Sequence, residues 1–238
     1  MQVELTLSPV LYQGRTIAAH HTTVAVDVLR ATTAVCAAFQ AGAEMIVPLD
    51  SLEKLPSYRK LGFSLAAERN GSKVGDAEYG NSPTEYLRND LSGRKLAYST
   101  TNGTVSLLAA SDAERTLAGS FANISALTDV LVADGRDVVI LCSGWKGEPS
   151  MEDTLFAGAL IDRLAARCNV IPVNDAAMMA QTLWRAAEGD PYAFCSKATH
   201  IARLRRLGAE ADIEFAFRQD TCPVVPELVD GSLRVVNR

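Results

Sequence analysis

Apolar runs of strand length alternate with stretches of helical spacing along most of the chain. Thr23-Val24-Ala25-Val26 predicts a buried strand, and Ala34 to Gln40 a helix of small residues that stops at Gly42. Met45-Ile46-Val47 predicts the next strand. Ser51 to Leu61 predicts a helix interrupted or bent at Pro56, because proline lacks the amide that an inner helical turn uses. Phe63 to Ala67 is apolar again. Ser82-Pro83-Thr84-Glu85 carries two helix-start signals, a capping box and a proline at the first helical position. Lys95 to Ser99 predicts a strand, Thr104 to Ala110 a helix, Thr116 to Ala118 a weaker strand, and Ser125 to Val132 a helix. Val138 to Leu141 is continuous and β-branched, as burial on both faces requires, and a helix opens after it at Ser150 with Asp153 at its third position.

Beyond Val170-Ile171-Pro172-Val173 the texture changes. Asp175 to Glu188 and Pro191 to Leu207 predict two successive helices, closed by Gly189 and Gly208, and Val224-Val225 and Leu233 to Val236 are candidate terminal strands. There is no fixed-period repeat, low-complexity tract or linker, so residues 1–238 read as a single domain. The alternation predicts an α/β fold, a three-layer α/β/α sandwich with a mostly parallel or mixed central sheet.

Composition narrows the class. The 238 residues are 48% hydrophobic and 21% charged, which excludes a disordered chain. With 23 Lys+Arg against 28 Asp+Glu the net charge is −5, and no basic cluster offers duplex nucleic acid a face. Arg203, Arg205 and Arg206 read as one solvated helix face. No signal peptide is visible at the start, no window approaches a membrane span, and the five scattered cysteines form no CxxC. These features predict reduced thiols and a cytoplasmic protein. A homo-oligomer is possible through the apolar helix bearing Met178, Met179, Leu183 and Trp184, although core packing accounts for the same spacing.

The chemistry-bearing residues stand just after predicted strands: Asp27 with Arg30, Thr32 and Thr33; Glu68-Arg69-Asn70-Gly71; Thr100-Thr101-Asn102-Gly103-Thr104; and Cys142-Ser143-Gly144, with Glu152 and Asp153 shortly beyond. In open α/β sheets ligands lie at the carboxyl ends of the strands, so four such clusters predict one crevice. Helix capping alone accounts for any one of them. Thr100 to Thr104 has the ingredients of an anion cradle, with hydroxyls, a glycine for close approach and a helix N-terminus. Arg30 and Arg69 are forked partners for an oxyanion, Arg69 having a surface pair with Glu68 as its alternative. Asp27, Glu68, Glu152 and Asp153 are candidate oxygen ligands for Mg²⁺, with Asp153 alternatively serving the Ser150 capping box. Asp27 stands out, since a carboxylate directly after Val24-Ala25-Val26 is costly unless something pairs with it. The chain lacks GxxxxGK[ST], GxGxxG, HExxH and GxSxG motifs, and His20, His21 and His200 are too few for a histidine-based site. Cys142 reads more simply as a packed thiol than as a nucleophile.

VDVLRATTAV (26–35), ERNG (68–71), GNSPTEY (80–86), STTNGT (99–104) and CSG followed by MEDTLFAG (151–158) resemble the 2-phosphosulfolactate phosphatase family, in order, from about residue 3 to Pro226. Ala67, where a glycine often precedes the ERNG string, is a small-for-small departure. The resemblance implies an α/β/α enzyme that uses Mg²⁺ to hydrolyse 2-phosphosulfolactate to sulfolactate and phosphate, on a route to coenzyme M. It also implies that Asp27, Arg30, Glu68, Asn102, Glu152 and Asp153 lie in shared motifs. The chemistry then expected has Asp27 with Glu68, Glu152 or Asp153 holding Mg²⁺, and Arg30 with the Ser99–Thr104 loop positioning a small anionic phosphoester. Arg69, or Lys146 beside Cys142-Ser143-Gly144, would take the sulfonate or carboxylate. Direct attack by water and a phosphoaspartate on Asp27 both remain open. So do two other readings, a phosphatase of the same family for another phosphorylated hydroxy acid and a non-catalytic binder of small anions.

Overall fold

The computed structural model describes residues 1–17, 20–110 and 112–236. The chain opens with β1 (Gln2–Thr6), which the apolar pattern does not mark because Glu4 interrupts it. Glu4 is buried all the same, and its carboxylate accepts from the amides of Thr16 and Ile17 at 2.8 Å each. There follow α1 (Pro9–Tyr12), β2 (His21–Val26), α2 (Ala31–Gln40) and β3 (Met45–Pro48). Leu52–Lys54 form a 3₁₀ turn before α3 (Leu55–Lys60), so Pro56 sits in the first turn of the α-helix and starts it instead of bending a longer one. β4 (Ser64–Arg69) extends two residues beyond its apolar stretch, placing Glu68 and Arg69 inside the strand, and pairs antiparallel with the short β5 (Ser72–Lys73).

Ser82 caps α4 (Pro83–Leu87), its hydroxyl accepting from the Glu85 amide at 3.1 Å. The Glu85 carboxylate takes the Gly80 amide, at 3.0 Å, so only half of the expected box forms. β6 (Lys95–Ser99), α5 (Gly103–Ala109), β7 (Arg115–Gly119), α6 (Ile124–Asp134), β8 (Asp137–Cys142), α7 (Met151–Ala165), β9 (Ile171–Pro172) and α8 (Asp175–Ala187) then alternate, all but the two-residue β9 where the sequence pattern predicts them. The helix expected over 191–207 is divided. Asp190 caps α9 (Pro191–Cys195) through the Ala193 amide at 2.9 Å, and the chain turns through an extended Ala198 into α10 (Thr199–Arg206). α11 (Glu210–Ala216), which no strong pattern marks, follows after Gly208. The last pair is β10 (Pro226–Val229) and β11 (Ser232–Val235), so Val224-Val225 precede a strand and are not one.

Among the described residues the strands join one eleven-stranded sheet in the order β5-β4-β6-β3-β11-β10-β7-β2-β8-β1-β9. β4, β6 and β3 are parallel to one another, and so are β7, β2, β8, β1 and β9. The β10–β11 hairpin stands between the two blocks with antiparallel pairing to each and within itself. The sheet is therefore mixed, its two parallel blocks separated by three antiparallel steps. Alternate residues of β8 enter different cores. Val138, Ile140 and Cys142 join α6, α7 and α8, while Val139 and Leu141 meet Tyr12 and Ala110 on the opposite face. β4 does the same, with Ala66 on one side and Leu65 and Ala67 on the other. Both faces are covered, which makes three layers. No helix among the described residues is long and apolar enough to cross a membrane. Trp184 belongs to the core, whereas Met178 and Met179 are 49% and 58% exposed.

α7 and α8 lie close because Gly158 has no side chain: a Cβ there would come within 2.1 Å of the Ala180 carbonyl oxygen. Gly158→Ala is expected to lower unfolding free energy by about 1–3 kcal/mol, the usual penalty of overpacking. Gly189→Ala, where a Cβ meets nothing within 4 Å, should stay within about 0.5 kcal/mol of wild type. Urea denaturation of the two variants checks this, and equal stability for both would refute the close-approach account.

Candidate active site

The turn between β2 and α2 carries the central residue. The Thr32 hydroxyl accepts from the Asp27 amide at 3.0 Å and donates to the Gly119 carbonyl at 2.7 Å, while the Thr33 hydroxyl donates to the Val28 carbonyl at 2.8 Å. These bonds tie the turn down and leave the Asp27 side chain facing a cleft of about 170 Å³. That volume is below the ~300–1,000 Å³ of sites for drug-sized ligands and suits a small metabolite. Leu29, Arg30, Glu68, Asn70, Gly71, Asn81, Thr100, Thr101, Asn102, Trp145, Lys146, His200, Arg203 and Leu204 complete its walls. Asp27, Glu68 and Asn102, spread over 75 residues of sequence, are thus brought together.

Asp27 is buried, and its carboxyl is pushed up to about 6, first by loss of water and further by the charges of Glu68 and Glu152. His200 and the Ala31 amide oppose the rise. Gly103 permits the close packing here, since a Cβ on it would fall 2.2 Å from that of Ala31 and 2.8 Å from Oδ2 of Asp27. The N-terminus of α5 can therefore approach the carboxylate only through a glycine.

Glu68 accepts from the Thr101 amide at 3.3 Å, from the Thr101 hydroxyl and from the Gly71 amide. The expected cradle is only partly open. Thr100, Thr101 and Asn102 line the cleft, but the Thr104 hydroxyl turns back to the Thr100 carbonyl at 3.2 Å, and the Thr104 amide donates to the Thr100 hydroxyl at 3.2 Å. Arg69 does not line the cleft. It donates to the Glu68 carbonyl at 2.6 Å and the Ser99 hydroxyl at 2.9 Å, and neither Arg69 nor Ser99 is in the cleft wall. Arg30 does line it, held by Asp212 at 2.9 Å and by the Gly71 carbonyl at 2.7 Å. Asp212 also accepts from the hydroxyls of Ser82 (2.6 Å) and Thr84 (2.7 Å), so it joins α4, α11 and the β2–α2 turn.

Cys142, Ser143 and Gly144 are likewise absent from the cleft wall. The Cys142 thiol is packed in the core and pushed well up by burial, and Ser143 pairs with Ser106 at 2.7 Å. The Gly144 amide donates to Asp153 Oδ2 at 3.2 Å. Oδ1 of Asp153 accepts from the Val28 amide at 2.8 Å, so this carboxylate braces the loops after β2 and β8 against the first turn of α7. The Ser150 hydroxyl has no hydrogen-bond partner, and the expected Ser150–Asp153 box does not form. Burial, then the charges of Glu152 and Asp27, push the Asp153 carboxyl up.

Glu152 lies behind the cleft, in an adjoining pocket that shares the Trp145 and His200 wall. Its Oε1 is 2.7 Å from His200 Nδ1, while its buried Oε2 has no partner. Among the described residues no three His, Cys, Asp or Glu side chains form a ready-made metal cluster. The donor set facing the cleft is mainly oxygen, with two carboxylates, amide oxygens and hydroxyls, and the His200 imidazole is its one nitrogen ligand type. That fits Mg²⁺, which takes one or two protein carboxylates and fills its remaining positions with water and substrate oxygens.

His200 and Arg203 escaped the sequence reading. They are one helical turn apart on α10 and both line the cleft, so the three arginines do not form one solvated face; Arg205 pairs with Glu210 at 3.0 Å. Their spacing of three was the available signal, but only the fold shows which way that face turns.

A family model described as 2-phosphosulpholactate phosphatase matches residues 8–231. A Thermotoga petrophila protein named probable 2-phosphosulfolactate phosphatase is 35% identical over 210 residues, covering 88% of this chain and 90% of its own. Proteins of the same name from Carboxydothermus hydrogenoformans and Thermosynechococcus vestitus are 37% and 35% identical, each across 88% of this chain and 88% and 90% of their own.

Because the fold favours the protonated form of Asp27, its contribution to stability is present below the unfolded value of 3.8 and lost as pH rises through about 6. In metal-free protein, Asp27→Asn should therefore gain stability relative to wild type between pH 4 and pH 7, by on the order of 2–3 kcal/mol. Paired denaturation curves with a chelator present check the sign; a constant difference across that range would refute the burial account.

Proposed function

We propose, since the chain belongs to the 2-phosphosulpholactate phosphatase family, that the cleft hydrolyses the phosphate ester of 2-phosphosulfolactate and does so with Mg²⁺. The observation that carries this reading is the buried Asp27 carboxylate, open to the cleft beside Glu68 and Asn102. Asp27, with Glu68 beside it, would hold Mg²⁺, and the unpartnered oxygen of Glu152 offers acceptor capacity behind them. The ion supplies charge neutralisation at the phosphoryl oxygens.

The protein's own groups do the rest. The Asn102 side-chain amide lines the cleft at the start of α5 and can donate to phosphoryl oxygens, while the Thr101 hydroxyl donates to Glu68 and steadies that carboxylate. Arg30 faces the same cleft, and its position is fixed by Asp212 and Gly71, so it is preorganised without reorganisation at the moment of reaction. Leu29 and Leu204 add apolar surface to the cleft wall.

Phosphate release from a panel of phosphate monoesters, with and without Mg²⁺, tests the reading. Turnover should be fastest on 2-phosphosulfolactate and vanish on chelation, and Asp27→Asn should lower it by about 10³-fold or more, as loss of several kcal/mol of transition-state stabilisation requires. Undiminished turnover in the chelated enzyme would remove the metal, and full activity in Asp27→Asn would remove the carboxylate.

A further inference from the structure

We propose that Arg203 and Lys146, carried on the face of Trp145, bind the part of the substrate that does not react, and so select phosphate esters bearing further strong anions. This deepens the phosphatase reading and rests on it. Three cationic side chains, Arg30, Lys146 and Arg203, line the cleft. The charge of Arg30 is answered by Asp212, a buried pair at 2.9 Å. Lys146 and Arg203 form no ion pair and no side-chain hydrogen bond among the described residues; what holds them is the indole, with Lys146 Nζ 4.9 Å and the Arg203 guanidinium carbon 5.8 Å from its centroid. An aromatic face orients a cation without neutralising it. Two positive charges are therefore directed at a ligand site and left unanswered.

The platform is itself fixed. Trp145 and Glu148 exchange backbone hydrogen bonds at 2.8 and 3.1 Å, closing a tight turn in which Gly144, Lys146 and Gly147 all have positive φ. The His200 ring stacks on Trp145 with centroids 5.6 Å apart and planes 10° from parallel, and Glu152 holds His200 in turn. Gly71 leaves the space Arg203 occupies: a Cβ there would come within 3.4 Å of its guanidinium and 2.5 Å of Leu207. The charges match a substrate of the expected kind. With the phosphoryl group at the Asp27 end, 2-phosphosulfolactate presents a sulfonate and a carboxylate, two anions for two free cations. Arg203, half-buried and forked, suits the planar or trigonal oxygens of either, while Lys146 is exposed and contributes charge.

The test compares kcat/KM for 2-phosphosulfolactate with that for ethyl phosphate, which lacks both the sulfonate and the carboxylate, in wild type, Arg203→Ala, Arg203→Lys and Lys146→Ala. The ratio should fall by roughly 10–100-fold in Arg203→Ala, chiefly through KM, and less in Arg203→Lys and Lys146→Ala. Equal losses on both esters, or none, would overturn the proposal. Calorimetry with sulfolactate separates this from the phosphatase reading. If no ester is hydrolysed, that reading fails, yet sulfolactate bound by wild type and about ten-fold more weakly by Arg203→Ala still supports the subsite. Sulfolactate bound equally by both, or by neither, refutes it. Lys146→Ala, on an exposed loop, decides the matter by the same measurements should Arg203→Ala not fold.

Discussion

The structure turns on one costly act, the burial of the Asp27 carboxylate where β2 passes into α2. A charge removed from water must be paired, neutralised by a proton, or answered by a ligand, and the surrounding residues leave all three routes open. Thr32 and Thr33 engage the backbone of the turn and not the carboxylate. Gly103 brings the start of α5 against it without covering it. Asp153 fixes the neighbouring loops from behind. The result is a stiff pocket around an acid whose charge the fold itself leaves largely unanswered, the electrostatic condition under which a bound cation and a phosphoryl group are most strongly held.

The buried acids divide into two kinds. Glu4, Asp153 and Asp212 have their oxygens engaged by amides, hydroxyls or a guanidinium, and each ties together elements distant in sequence. One oxygen of Glu152 lacks such a partner within the protein, and Asp27 has only the Ala31 amide beside it and faces the cleft. Cations divide in the same way, with Arg30 and Arg115 paired and Lys146 and Arg203 left over a ring. Asp153 and Asp212 are satisfied inside the fold and position the cleft, while Lys146 and Arg203 face it unpaired. A buried polar group without a partner is expensive, so its presence beside the cleft marks the place where a ligand belongs.

Most elements were legible because their apolar periodicity is strong. β2, β3, β6, β7 and β8 occur where short apolar runs predict them. Where the reading failed, a local polar group or breaker changed the outcome. Glu4 conceals β1 because amides from a later loop satisfy it. Pro56 begins α3 because a 3₁₀ turn precedes it. The helix expected over 191–207 is divided by a turn whose sequence, Ser196-Lys197-Ala198, carries no glycine or proline. Arg69, Cys142 and Ser143 match motif strings as well as Asp27 does, and only their contacts show that they face elsewhere.

The sequence by itself determined the α/β class, the positions of the polar clusters at strand ends, and Asp27 as the residue most in need of a partner, since all three follow from local pattern and the cost of burying charge. The tertiary structure alone decided how those ends meet. The inserted β10–β11 hairpin puts three antiparallel steps between the parallel blocks, so the rule for parallel sheets does not by itself bring Glu68 and Thr101 to Asp27; a wide sheet, twisting by ~20–25° from strand to strand, changes which ends face each other. It also decided that α10 turns His200 and Arg203 inward. Helical spacing says which side chains share a face, while the direction of that face depends on packing between elements far apart in the chain.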